Sequence, residues 1–189
     1  MSTPIVDLGS GPWSGAYVLR IHVEQTERVV FGRFDGGATV VVEPGDYLYI
    51  GSAQSRRDGF ALAHRVLRHL TRTGGRPPQA LRRAMLAYLK THGWPAAHAP
   101  DGKTLRWHVD YLLERPVADV VQVLLFRNSG VDERQLVARL TATGWTLPLR
   151  PGLGASDHPH HTHLLRWTAG HSQWDRFVDD LRQHLTAFP

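Results

Sequence analysis

Apolar residues recur along this chain with two different periods. From Ala16 to Val23 they alternate, with Tyr17, Leu19, Ile21 and Val23 on one face and Ala16, Val18, Arg20 and His22 on the other. Arg28–Phe34 and Ala38–Glu43 are rich in Val and Phe, and Asp35-Gly36-Gly37 between them is a hairpin turn signal. Pro44-Gly45 marks another turn, and Asp46–Ser52 follows as a strand with Tyr47 and Tyr49 on one face and Leu48 and Ile50 on the other. Strands joined by short turns predict an antiparallel meander.

The period then becomes helical. Ala61, Leu62, Val66, Leu67 and Leu70 share one face, and Gly74-Gly75 supplies a stop. Pro77-Pro78 opens a second helix, Gln79 to about His92, closed by Gly93 and Pro95. Trp107–Leu113 and Val117–Phe126 read as strands. Asp132 caps a helix through Gln135, with Leu136, Val137 and Leu140 as its apolar stripe and Gly144 after it. Pro148–His163 reads as a polar loop and Leu164–Trp167 as a last short strand. Trp174, Phe177, Val178, Leu181 and Leu185 make a C-terminal amphipathic helix. The predicted class is α+β. A small central antiparallel sheet is flanked by helices in one domain over 14–168, with a helical insertion at about 74–104. Residues 1–13 read as a tail, and 169–189 as a helix packed on the same domain.

Composition changes this picture in two places. The 189 residues contain no cysteine, which removes disulfides, thiolate metal sites and cysteine nucleophiles. No apolar run approaches the roughly 20 residues that span a bilayer, and the N-terminus has no basic, apolar leader pattern. The expectation is a soluble, cytoplasmic protein with no membrane partner.

The formal charge of +5 selects nothing until it is located. Residues 1–60 are net −2, residues 61–115 net +7, and residues 116–189 neutral. From Gly59 to Pro100 there is no carboxylate, against Arg65, Arg68, Arg72, Arg76, Arg82, Arg83 and Lys90. A one-signed stretch of this kind suits an anionic partner such as nucleic acid. The competing reading is a solvated helix face in an arginine-rich chain. Trp13, Trp94, Trp107, Trp145, Trp167 and Trp174 stack on bases if exposed; Trp107 and Trp174 read more readily as core.

Candidate chemistry lies beside that basic stretch. Gly15-Ala16-Tyr17 opens the first strand and Tyr49-Ile50-Gly51 closes a later one. Arg65 and His69 follow, four apart on one helix face. Tyrosine donates a proton or, with a lowered pKa, accepts one. The arginine fork matches phosphate oxygens, and histidine titrates near neutrality. With a carboxylate holding a divalent metal, this is the equipment of phosphodiester hydrolysis.

The order Gly-x-Tyr, Tyr-Ile-Gly, Arg-x-x-x-His resembles the GIY-YIG nuclease superfamily. Within it, the chain looks like the small stand-alone branch of Uri-type endonucleases, long catalogued as a domain of unknown function. The resemblance runs from about Ser14 to Trp167, over five blocks in order. They are Gly15-Ala16-Tyr17, Gly45–Ala53, Arg65–Leu70, Trp107–Leu113 and Gly154–Leu164.

It implies that Tyr17 and Tyr49 face the scissile phosphate, with Tyr17 orienting or activating the water. It implies that Arg65 stabilises the phosphate charge, and that His69 and His108 are accessory histidines. It also implies a later-helix Glu, here Glu133, holding one Mg²⁺ or Mn²⁺. Asp132 is the local rival of Glu133, which also reads as an ordinary first-turn acid. Arg68, Arg72, Arg76, Arg82 and Arg83 would bind the nucleic-acid backbone.

The function implied is a divalent-metal-dependent endonuclease acting on DNA, in repair or processing. One alternative is a nucleic-acid-binding protein without catalysis. The other is a metal-binding or interaction module using the histidine-rich 157–163 loop.

Several blocks depart from the pattern. Gly-Ala-Tyr replaces Gly-Ile-Tyr, Arg56-Arg57-Asp58 is a small insertion, and the helix after His69 is extra. In the last block the branch usually has Asp-Cys-x-Cys-x-Ser-His-Leu. Here His158 and His160 stand at the cysteine positions, with His161 and His163 nearby. Asp157, His158, His160 and His163 are thus a possible Zn²⁺ set, against the reading of an exposed loop in which only Asp157 and His163 matter.

Overall fold

The computed structural model describes residues 3–54, 59–94, 99–154 and 162–184. The elements run in chain order as β1 (Ile5–Asp7), β2 (Gly15–Val23), β3 (Glu27–Val30), β4 (Thr39–Val42), β5 (Gly45–Ala53), α1 (Ala61–His69), α2 (Arg82–Thr91), α3 (His108–Leu113), β6 (Ala118–Arg127), α4 (Glu133–Ala142), β7 (Thr146–Pro148), β8 (Leu164–Trp167) and α5 (His171–His184). The class is mixed α+β: a six-stranded sheet in the order β1-β6-β2-β5-β8-β7, flanked by five helices.

The alternation in β2 and β5 is real, and both faces are covered. Tyr17, Leu19, Ile21, Val23, Tyr47 and Tyr49 face a core closed by α1, α2, α3 and the β3–β4 hairpin. Ala16, Val18, Leu48 and Ile50 face a second core closed by α4 and α5, which contribute Leu136, Leu140, Trp174, Phe177 and Leu181. Two covered faces explain why these strands carry apolar residues at almost every position. Among the described residues no helix is long and apolar enough to cross a membrane.

Five expectations need correcting. The sheet is mixed rather than antiparallel, because β1 runs parallel to β6 with Val6 opposite Leu124. Within the expected tail over 1–13, the described residues from 3 onward supply a sheet strand and core side chains; Val6, Leu8 and Trp13 are buried. The strands do not form a meander. β2 pairs directly with β5 and β6, and β3–β4 is an excursion that pairs only with itself. Trp107–Leu113 is a helical turn rather than a strand. Its apolar residues, Val109, Leu112 and Leu113, repeat at three and four, and the Asp110 carboxylate accepts the Arg106 and Trp107 backbone N–H groups at its start. The strand β7 lies partly in the segment expected to be loop.

The predicted Asp132 cap is present. Its carboxylate accepts from Gln135 N–H at 2.8 Å while Gln135 Oε1 accepts from Asp132 N–H at 3.0 Å. The inserted helix α2 buries Met85 and Leu89 against the first core, so it covers the sheet.

Candidate active site

Tyr17 sits near the start of β2, between Gly51 of β5 and Leu125 of β6. A β-carbon placed on Gly51 would stand 2.4 Å from the Tyr17 hydroxyl oxygen and 2.5 Å from its Cζ. Tyr49-Ile50-Gly51 therefore ends in glycine because the phenol of the first triplet occupies that space. The first triplet opens with glycine for a different reason. Gly15 has φ +135°, and a β-carbon there would meet the Phe126 carbonyl at 2.1 Å.

The Tyr17 hydroxyl lies 2.7 Å from His69 Nε2, and His69 Nδ1 lies 3.0 Å from Asp110 Oδ1. All three side chains are buried. The proton positions follow from charge. Burial pushes the Asp110 carboxyl up, but its contacts with His69, Lys103 and the Arg106 backbone N–H override this and hold it well below the usual range. An ionised carboxylate only accepts, so His69 Nδ1 is the donor. Burial pulls the His69 imidazole down to about 4, against the opposing pull of Asp110. The ring is neutral, Nε2 is an acceptor, and Tyr17 donates to it. The chain Tyr17–His69–Asp110 is thus a proton path ending in a fixed anion.

Tyr49 packs beside this chain, its ring 6.2 Å from Tyr17 and 5.6 Å from His69. Burial pushes the Tyr17 phenol well above its ordinary value, and Tyr49 adds to this. Burial, then Glu133 and Asp110, push Tyr49 up; Arg65 opposes them in both. Glu133, the first residue of α4, is positioned by the Asp132 cap and is 27% exposed. Its Oε2 lies 3.4 Å from Nδ1 of buried His163. Tyr17, Tyr49, Arg65, His69 and Glu133 therefore share one electrostatic neighbourhood.

Arg65, Arg68 and Arg106 surround Trp107, with guanidinium carbons 3.8, 4.3 and 5.0 Å from its ring centre. A pocket of about 250 Å³ opens there, walled also by Ala53, Gln54, Ala61 and His64. Arg68 additionally donates to Asp110 Oδ2 at 2.9 Å and to the Thr104 carbonyl.

The other expected backbone-binding arginines are placed differently. Arg72 donates to the carbonyls of Leu113, Pro77, Arg115 and Ala118 and pairs with Asp119. Arg76 pairs with Glu114 and bonds Thr73, and Arg82 donates to Thr71 Oγ1 and the Pro100 carbonyl. These three guanidiniums are already engaged within the protein. They tie α1, α2, α3 and the following loops together, and Gln79 Nε2 shares two of the same carbonyls, those of Leu113 and Ala118. Arg83 is exposed on α2.

His108 turns its Nδ1 to the Gly154 backbone N–H at 3.0 Å and its ring to Phe34. Asp157, His158 and His160 lie outside the described residues. His163, the fourth member of the proposed Zn²⁺ set, faces Glu133.

Three contributors escaped the sequence reading. Asp110 was visible only as a member of a quoted block, 41 positions from the histidine it holds. Lys103 is fully buried between Asp110 Oδ1, 3.6 Å away, and Glu114 Oε1, 3.3 Å away, with no hydrogen bond of good geometry. Burial pulls its amine down to about 8. Arg106 carried no signal, since it lies outside the helix periods.

The fold and site define an α+β domain with a buried tyrosine–histidine–aspartate chain beside an arginine-lined pocket. The chain belongs to the family described as domain of unknown function DUF123, which matches residues 16–186. No curated protein and no solved structure matches it.

Proposed function

We propose that the chain is a divalent-metal-dependent endonuclease of GIY-YIG type, hydrolysing DNA phosphodiester bonds. The observation that carries this reading is the junction of the Tyr17–His69–Asp110 chain with Tyr49, Arg65 and Glu133. Proton acceptor, cationic fork and carboxylates come from five separate elements, β2, β5, α1, α3 and α4.

The metal implied by this reading fits the donors in a limited way. Among the described residues no three His, Asp or Glu side chains gather as a cage. One partly exposed carboxylate beside the tyrosines suits a hard ion that keeps its waters and takes phosphate oxygens. Glu133 would hold it, and the ion would supply charge stabilisation at the phosphate.

The chain's own residues account for the proton. The attacking water passes its proton to the Tyr17 hydroxyl oxygen as the Tyr17 proton moves to His69 Nε2. The imidazolium so formed is stabilised by Asp110, which Arg68 and two backbone N–H groups hold in place. Arg65 is fixed on Trp107 to meet negative charge growing on the phosphate. Both tyrosines are neutral at rest, so the relay moves protons only in concert with attack.

The test is incubation with single-stranded and duplex DNA in Mg²⁺ or Mn²⁺. Tyr17→Phe, Arg65→Ala and Glu133→Gln are each expected to cut at least about 10²-fold more slowly than wild type. Cleavage that survives all three substitutions sinks the proposal. The near-complete burial of Tyr17 and Tyr49 favours one second reading, a DNA-binding protein that does not cut. Binding without cleavage in either metal selects it.

A further inference from the structure

The pocket around Trp107 differs from a second arginine-containing pocket. On the opposite face of the sheet, Arg20, His22, Asp46, Gln122 and His171 line about 320 Å³. There Arg20 is already neutralised: Asp46 accepts from it at 2.5 Å and His171 Nδ1 at 2.7 Å. Among the described residues, the wall of the Trp107 pocket contains no carboxylate. Among the described residues, neither the Arg65 nor the Arg106 guanidinium has a hydrogen bond or ion pair; each rests on the indole alone. Asp110, which Arg68 reaches, is already engaged by Arg68, His69 and two backbone amides.

Two forks held against one ring are preorganised for an oxyanion, because the indole anchors each guanidinium without using its N–H donors. The volume exceeds what one phosphate needs, and the wall offers an indole and a histidine ring, which tolerate sugar or base. Arg65 also borders the tyrosine pair, so one anion held there cannot use every fork in the pocket.

We propose that Arg106, with the outer edge of Arg65 and the Trp107 face, forms a subsite for the phosphodiester next to the one that faces Tyr17 and Tyr49. This rests on the reading of the chain as a protein that grips a nucleic-acid backbone. It makes the recognised substrate a stretch of internal linkages, not a single terminal phosphate.

The probe is a fluorescein-labelled DNA 12-mer, single-stranded and annealed, bound without divalent metal. In a series, one phosphate at a time is replaced by a neutral methylphosphonate. Wild type is expected to lose about tenfold in affinity at one internal position. Arg106→Ala is expected to bind about tenfold more weakly, to lower the salt slope by about 1, and to ignore neutralisation at that position. Arg106→Lys, which keeps the charge but not the fork, is expected to fall between them.

Arg106→Ala that still responds to every neutralised position overturns the subsite, as does sensitivity confined to a terminal phosphate. The signature together with no cleavage in Mg²⁺ or Mn²⁺ overturns the nuclease reading and supports the subsite. Cleavage without the signature does the reverse.

Discussion

At the scale of single residues, the site is a problem of holding charge where water is absent. Asp110 is kept ionised at zero exposure by donors from three directions, and that anion decides the tautomer of His69. Asp110→Asn removes the anion while keeping the shape. The amide can offer its NH₂ to Nδ1, which reverses the ring and turns Nε2 into a donor facing Tyr17. Cleavage is expected to fall by about 10² to 10⁴-fold, measured as single-turnover rates with the fold checked by circular dichroism. The motif tyrosines, Arg65 and the two glycines were legible because each needs one residue type at one place. Asp110 was not, because its role is defined by a partner 41 positions away and by a helix start that the apolar pattern resembles a strand in hiding.

At the scale of elements, charge counting and contact tell different stories about the basic stretch. Its excess suggested a backbone-binding face across α1 and α2. Arg72, Arg76 and Arg82 instead serve as donors for carbonyls and acids where α1, α2, α3 and β6 meet. Arg72→Ala removes its bonds to four carbonyls and its pair with Asp119. It is expected to cost about 2–3 kcal/mol in denaturant-monitored unfolding and to leave the salt slope of DNA binding unchanged. A slope reduced by a full contact would return Arg72 to the DNA face. Long two-sided strands and the capped helix α4 were readable because their periods persist over many residues. The three-residue strand β1 offers no period to read, and its pairing with β6 depends on residues more than a hundred positions away.

At the scale of the whole molecule, the buried histidines make the fold sensitive to mild acid. His69 is lowered to about 4 by burial, and burial lowers half-buried His108 as well. In the unfolded chain a histidine protonates near 6.5. Between about pH 6.5 and 4 the unfolded state therefore binds a proton at position 69 that the native state refuses. Stability falls as pH drops through that window and is fully restored above it. His69 alone is expected to remove on the order of 2 kcal/mol between pH 7 and pH 5, read from urea midpoints at each pH. His69→Gln is expected to flatten that dependence, and an unchanged slope would show that the ring is not neutral in the native state. The chain also has only two lysines. Lys90 is exposed on α2, whereas the Lys103 amine is sealed beside Asp110. Amine-reactive reagent should therefore mark Lys90 at once and reach Lys103 only when the loop ahead of α3 opens. The lag between the two masses in a mass spectrum is a built-in clock for how often the proton path is unsealed, and ligand that closes this region should lengthen it.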